Sequence, residues 1–210
     1  MFLIAWTDPT PGVIDKRARS ILDLACGQGK PMILIKLRRK INNAVGVELF
    51  EPYVQEAKEQ KVHDKYLLQD IRKIKFPKKS FDVVLASQVL EHMPKKEAWK
   101  VLDNMESIAK MQVVISTPIG ECYQPVVKGN KLEEHQSSFL PEDFEKRGYK
   151  TIRYGWRWLL DEHSQGLMYK VTHPLLRKLL YLFNLLVTPL YFLFQNSCDY
   201  SFVAYKNISE

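Results

Sequence analysis

Two glycines and three carboxylates stand where a ligand-binding α/β sheet would place them. The run Asp23-Leu24-Ala25-Cys26-Gly27-Gln28-Gly29 follows a short apolar stretch. Gly27 and Gly29 let a backbone turn sharply and approach a ligand closely. Asp23 puts a carboxylate at the end of that stretch, suited to meeting a positive group. Glu48 ends the next apolar run, nineteen residues after Gly29, where an acidic side chain grips ribose hydroxyls in nucleotide sites. Asp70 ends the third run, placed to accept an adenine amino group. A NAD fingerprint would need a third glycine at position 32, where Met32 stands. Two histidines add acid–base chemistry. His92 lies in Gln88-Val89-Leu90-Glu91-His92-Met93-Pro94, and His135 follows Glu133-Glu134. Imidazoles titrate near neutral pH and can take a proton from a hydroxyl or amine. A purely structural reading is also open: Glu91 caps the next helix and His92 bonds loop backbone.

These residues need a scaffold that brings strand ends together. Ile21–Leu24, Ala44–Glu48, Tyr66–Gln69, Phe81–Ala86 and Gln112–Ser116 read as strands. Between them, Pro31–Arg39, Pro52–Lys61 and Lys95–Lys110 read as helices; the last carries Ala98, Val101, Leu102, Met105, Ile108 and Ala109 at helical spacing. A loop covers 119–138, a short helix Pro141–Arg147, a sixth strand Lys150–Trp158 and a seventh Asp199–Lys206. Alternating strands and helices give a mainly parallel sheet with helices on both faces. Its ligand belongs beyond the carboxyl ends of the strands.

The segment from Ile21 to about Trp156 resembles the class I S-adenosylmethionine-dependent methyltransferases, in particular a group of small stand-alone domains. The patterns DLxCGxG, VGVExFEPYVxxAK, DIRxxxFPxxSFDVVLxxxVLEHxP and EHxSxFxPEDFxxxGYK stand at Asp23–Gly29, Val45–Lys58, Asp70–Pro94 and Glu134–Lys150. The resemblance implies a Rossmann-like seven-stranded sheet whose last strand is antiparallel, and S-adenosyl-L-methionine as cofactor. It also implies site roles. The turn at Ala25, Gly27 and Gly29 would cradle the methionine part and Asp23 would face its ammonium group. Glu48 would hold the ribose, Leu49 or Phe50 would cover the adenine, and Asp70 with the Ile71 N–H would read the adenine edge. Ser87 and Gln88 would lie beside the methionine carboxylate or the sulfonium. Ala25 departs from the commonest glycine pattern.

His92 and His135 are the candidate catalytic bases. Some related methyltransferases hold a divalent metal with Glu-x-x-Glu-His, but Gln88 stands in the first position here. One carboxylate and one histidine make a poor magnesium site unless Glu133 or Glu134 joins, so no metal is expected. Tyr123, Tyr154, Trp156 and Trp158 either line an acceptor pocket or belong to the core.

Composition narrows the partners. The 210 residues are 46% hydrophobic and 26% charged, with a net charge of +7, an ordinary globular composition. The basic balance suits anionic partners or a solvated basic surface. Cys26, Cys122 and Cys198 form no CxxC pair, which argues against a disulfide framework and for a reducing cytoplasm. Met1–Trp6 is apolar but short for a signal-peptide core. Residues 1–20 are expected to form a leader, 21–158 with 198–210 the methyltransferase domain, and 159–197 a hydrophobic helical insertion. Leu179–Phe194 holds sixteen uncharged residues, short of the roughly 20 that span a bilayer. Pro189 is expected to break or kink any helix there. With Lys170, His173, Arg177 and Lys178 at one end and Tyr181 and Tyr191 along it, the insertion reads either as a peripheral contact with an anionic membrane or as a lid of two short helices. Both favour a small, lipid-like acceptor. An RNA or protein methyltransferase is disfavoured by Ser87-Gln88-Val89-Leu90 standing where an Asn-Pro-Pro-Tyr signature would be. A non-catalytic cofactor-binding subunit is the alternative outside enzymes.

Overall fold

A computed structural model gives the fold, and it describes residues 8–124, 126, 129–160 and 167–208. The apolar runs are strands: β1 Ser20–Leu24, β2 Asn43–Glu48, β3 Lys65–Leu68, β4 Phe81–Ser87, β5 Ala109–Pro118, β6 Lys150–Tyr154 and β7 Ser201–Asn207. They form one sheet in the order β3-β2-β1-β4-β5-β7-β6. The first five are parallel; β7 runs antiparallel to β5 and to β6. This is the Rossmann-like sheet with an antiparallel last strand that the sequence implied. Chain order reverses between β1 and β4, which opens a crevice at their carboxyl ends.

Side-chain alternation divides the core between the two faces. Leu22 and Leu24 of β1 join Val45, Val47, Val84 and Ala86 under Ala98, Val101, Leu102, Met105 and Ile108. Those five project from helix Lys95–Ile108, whose burial of one stripe contributes about 1.5–3 kcal/mol per large side chain. Ile21, Val83, Leu85 and Val114 face the other way, under Met32 and Ile35 of helix Lys30–Arg38. Helix Glu51–Gln60 follows β2, and Pro141–Glu145 precedes β6. The leader belongs to this second face: a turn of helix at Thr10–Val13 leads to buried Ile14 and Ala18. The Gln112 amide ties it down, donating to the Val13 carbonyl at 3.1 Å and accepting from the Asp15 N–H at 3.1 Å. The apolar Met1–Trp6 lies outside the described residues.

Two elements differ from the sequence reading. The sixth strand stops at Tyr154, because Gly155 turns the chain at φ +74°. A Cβ there would sit 2.6 Å from Leu160 Cδ1 and 3.1 Å from Tyr200 Cδ1, and the chain instead enters a short helix, Arg157–Leu160. Further on, Pro174–Leu193 is one helix that runs through Pro189. Proline deletes a single backbone donor, and it sits within the last turn and a half, where the loss is small beside tertiary packing. Tyr191 is fully buried there, donates to the Asn184 side chain, and meets Trp156 edge-on at 4.8 Å. Buried Tyr181 and Tyr191 therefore serve the core and not a lipid interface.

Candidate functional site

Backbone strain concentrates in the turn after β1. Ala25, Gly27 and Gly29 have φ of 49°, 52° and 80°. A Cβ on Gly29 would lie 2.8 Å from Val62 Cγ2, so this glycine admits the loop before β3. A Cβ on Gly27 would meet nothing within 4 Å; its backbone lines open space. That space is a cavity of about 540 Å³ beyond the carboxyl ends of the strands, bordered by Asp23, Ala25, Gly27, Glu48, Asp70, Ser87, Gln88 and His92 among others. Its volume falls in the range of small-molecule and cofactor sites.

Each predicted carboxylate is there, held by a specific partner. Glu48 Oε2 accepts from Gly27 N–H at 3.0 Å, and Oε1 accepts from Leu49 and Phe50 N–H at 2.8 Å each. This locks the end of β2 to the glycine turn and leaves carboxylate lone pairs for a further donor. Burial holds the Glu48 carboxyl above its ordinary pKa against those hydrogen bonds. Asp70 lies just past β3, and both its oxygens receive the Arg72 guanidinium at 2.8–3.1 Å. That contact holds the Asp70 carboxyl below the usual carboxylate range. Asp23 is buried, with Oδ2 2.8 Å from His63 Nε2.

Leu49 and Ile71 line the cavity, whereas Phe50 meets Tyr53 edge-on at 5.0 Å and it is Tyr53 that reaches the wall. On the opposite side, Ser87 Oγ lies 2.9 Å from Ser116 Oγ. Gln88 takes φ 56° and donates to Ser201 Oγ at 3.2 Å, which pins it across β4, β5 and β7. Sequence reasoning missed His63, Tyr53, Asn130, Leu132 and Gln136. His63 had one legible trace: Gly46, a glycine inside a strand, which signals close approach of another group. A Cβ on Gly46 would lie 3.1 Å from His63 Cγ and 2.8 Å from Cys26 Sγ.

The two histidines come together. A short 3-10 turn, Leu90–His92, follows β4. The Glu91 carbonyl accepts from Gln136 and Ser137 N–H at 2.8 and 3.1 Å, and Ser137 Oγ donates to the Met93 carbonyl at 2.8 Å. This stitching brings the His92 and His135 rings to 4.8 Å. Glu91 does not cap a helix. It is 2% exposed, its Oε2 accepts from Thr117 Oγ1 at 3.0 Å, and burial pushes its carboxyl up to about 7. Desolvation lowers the His92 imidazole below its ordinary pKa, against the nearby Glu133 carboxylate, which raises it. His135 is a neighbour of both Glu91 and His92, and Glu133 and Glu134 also stand beside His92.

The aromatic acceptor pocket is not formed by the expected residues. Tyr154 is in the core, Trp156 packs on Tyr191, and Tyr123 is 78% exposed. The Trp158 side chain lies outside the described residues. Nor does any described residue of 159–197 line the cavity.

Residues 22–115 match the family model of the methyltransferase domain. Among curated proteins, the 27-O-demethylrifamycin SV methyltransferase of Amycolatopsis mediterranei (strain S699) is 31% identical over 103 residues, which are 46% of this chain and 37% of that one. The chain thus matches just over a third of that relative's length. Two solved structures share the fold. The magnesium protoporphyrin IX methyltransferase of Synechocystis PCC 6803 with bound S-adenosylmethionine has a TM-score of 0.52 and 16% identity, covering 99% of this chain and 76% of its own. The plantazolicin methyltransferase BpumL, in complex with the demethylated cofactor product, has a TM-score of 0.60 and 15% identity, covering 100% and 85%.

Proposed function

We propose that the chain is a class I S-adenosylmethionine-dependent methyltransferase, a reading supported by the match of residues 22–115 to the methyltransferase-domain model, and that it transfers a methyl group to a small acceptor with an apolar body and one nucleophilic oxygen or nitrogen. One observation carries the reading: Glu48, Asp70 and the strained glycine turn share a cavity with His92, on either side of the β1/β4 switch point. S-adenosylmethionine supplies an electrophilic methyl group on a sulfonium. The protein's residues divide the remaining work. Glu48 offers charge-assisted acceptors to ribose hydroxyls. Asp70 and the Ile71 N–H face the adenine edge, and Leu49 with Tyr53 encloses the ring. Asp23, fixed by His63, presents negative charge towards the amino-acid end. Gln88, pinned by Ser201, closes the wall beside the reacting centre.

In-line displacement needs a positioned acceptor that has lost its proton. The corner built from Glu91, His92 and His135 is the place where that acceptor is activated. Val89, Met93 and Leu132 line the same cavity as His92, which supports a hydrophobic body on the substrate. The test is transfer of a radiolabelled methyl group from the cofactor to a panel of hydroxylated and amino-bearing apolar compounds. Turnover that disappears in His92→Ala while cofactor affinity persists supports the reading. Turnover unchanged in both His92→Ala and His135→Ala removes this corner from catalysis.

A second surface supports a peripheral membrane partner. Helix Pro174–Leu193 exposes Leu175, Leu179, Leu182, Phe183, Leu186 and Leu193 at 44–74%. Arg177 and Lys178 are exposed in its first turns, and Lys170 and His173 just before it. Apolar side chains beside cations suit an interfacial helix on anionic lipid. No helix among the described residues is long and apolar enough to cross a membrane.

A further inference from the structure

We propose that Glu133 sets specificity for the charged form of the cofactor: its carboxylate favours a ligand that carries positive charge between the ribose and the acceptor over the neutral product of transfer. This role rests on the S-adenosylmethionine reading above and adds to it a residue from the loop after β5.

Glu133 closes a 3-10 turn, Lys131–Glu133. That turn is held on both sides. The buried Asn130 side chain caps it, accepting from the Leu132 N–H at 3.0 Å. Gln124 Nε2 donates to the Glu133 carbonyl at 2.9 Å and to Oε2 at 3.1 Å. Asn130, Leu132 and half-buried Glu133 thereby form part of the cavity wall, together with Glu48, Tyr53 and His92.

Two neighbours locate the carboxylate along the cavity. On the ribose side is Tyr53, from the helix after β2; burial, and then the Glu133 carboxylate beside it, raise its hydroxyl to about 12. On the acceptor side is His92, which has the Glu133 backbone as a neighbour and is subject to the Glu133 charge. The same charge reaches Glu48. Glu133 therefore lies where the two halves of the cavity meet, between the carboxylate offered to the ribose and the imidazole offered to the acceptor. In S-adenosylmethionine the group that joins those halves is the sulfonium.

The charge balance fits that cation. Gln124 and Tyr53, which hold the Glu133 side chain, are uncharged. Among the described residues no lysine or arginine forms an ion pair with Glu133. Arg72, on the same wall, is taken by Asp70 and Glu97. Glu48 and Glu133 thus bring like charges to one cavity, an arrangement that is unfavourable until a cation joins them. A sulfonium has a permanent charge and no proton to donate, so charge is what a protein can recognise in it. Methyl transfer removes that charge and leaves the adenine, ribose and amino-acid groups unchanged. An attraction strongest before transfer does not lower the barrier to the chemical step. Its effect falls on exchange, in which the charged cofactor is retained and the neutral product let go.

Calorimetry on the full chain at low ionic strength compares three ligands: S-adenosylmethionine, its neutral demethylated product, and a non-reactive analogue that carries a protonated amine in place of the methylated sulfur. Glu133→Gln should weaken both cationic ligands about fivefold, the effect of one screened charge, and change product affinity by less than about twofold. Glu134→Gln, one residue further on and exposed, should alter none of the three. An equal loss for all three ligands in Glu133→Gln overturns the proposal, because the residue would then only support the wall. Wild type that binds the product, with the cationic-to-neutral affinity ratio unchanged in Glu133→Gln, refutes the role of Glu133 and leaves the cofactor reading standing. Folded wild type that binds none of the three refutes the cofactor reading and this role with it.

Discussion

Asp23 and His63 lie forty positions apart, yet their side chains meet at 2.8 Å inside the protein, at 1% and 0% side-chain exposure. The pair joins the end of β1 to the loop before β3, behind the glycine turn. Removing one member leaves the other buried without its partner. His63→Ala should lower the unfolding free energy by about 3 kcal/mol, measured by urea denaturation. It should also weaken cofactor binding, because Asp23 loses the contact that aims it. A variant as stable as wild type would mean that the pair is incidental.

Ala25 occupies a left-handed conformation, φ 49°, where a side chain is unfavourable. Ala25→Gly should therefore stabilise the chain by about 1 kcal/mol, seen as a higher denaturant midpoint with an unchanged slope. Cofactor affinity should be retained, since the turn keeps its shape. A loss of stability would show that flexibility gained in the unfolded chain outweighs the strain relieved.

These two positions show what the sequence could convey. The strand-and-turn pattern was legible because each buried strand is a short apolar run with a carboxylate or glycine at its end. That pattern alone assigns Asp23, Glu48 and Asp70 to one edge of the sheet. Their partners were not legible. Arg72 is two residues from Asp70, but nothing local says it folds back on it. His63 faces Asp23 only because β2 carries Gly46 beneath it. Pro189 was expected to interrupt a helix that tertiary packing of Tyr191 and Asn184 carries through. The meeting of His92 and His135 depends on hydrogen bonds to residues 136 and 137, which no periodicity announces.

Glu48 gives cofactor binding a pH dependence. Burial raises its pKa from the ordinary glutamate value, so it takes up a proton at higher pH than an exposed glutamate. The ionised form accepts hydrogen bonds best, so affinity is full above that raised pKa and falls as pH drops through it. Calorimetric affinity of the demethylated product should decline on acidification in wild type. In Glu48→Gln, weaker throughout, this component should vanish. An identical pH profile in the two proteins would assign the titration to another group.

The exposed face of helix Pro174–Leu193 predicts flotation with vesicles containing anionic phospholipid, and much weaker flotation with neutral ones. Replacing Leu179, Leu182 and Leu186 by Gln should abolish it, and Arg177→Glu with Lys178→Glu should reduce it in a salt-dependent way. Wild type that remains unbound to anionic vesicles, while staying monodisperse without detergent, would remove the membrane from the account.

The cavity at the β1/β4 switch point is the centre of the whole reading, and calorimetry with the demethylated cofactor product tests it most directly. The account predicts one binding site per chain. It also predicts that Glu48→Ala weakens binding by about 1–3 kcal/mol through the lost ribose hydrogen bonds, with the fold retained. No binding by the folded wild-type chain, or an affinity that Glu48→Ala leaves unchanged, would contradict it.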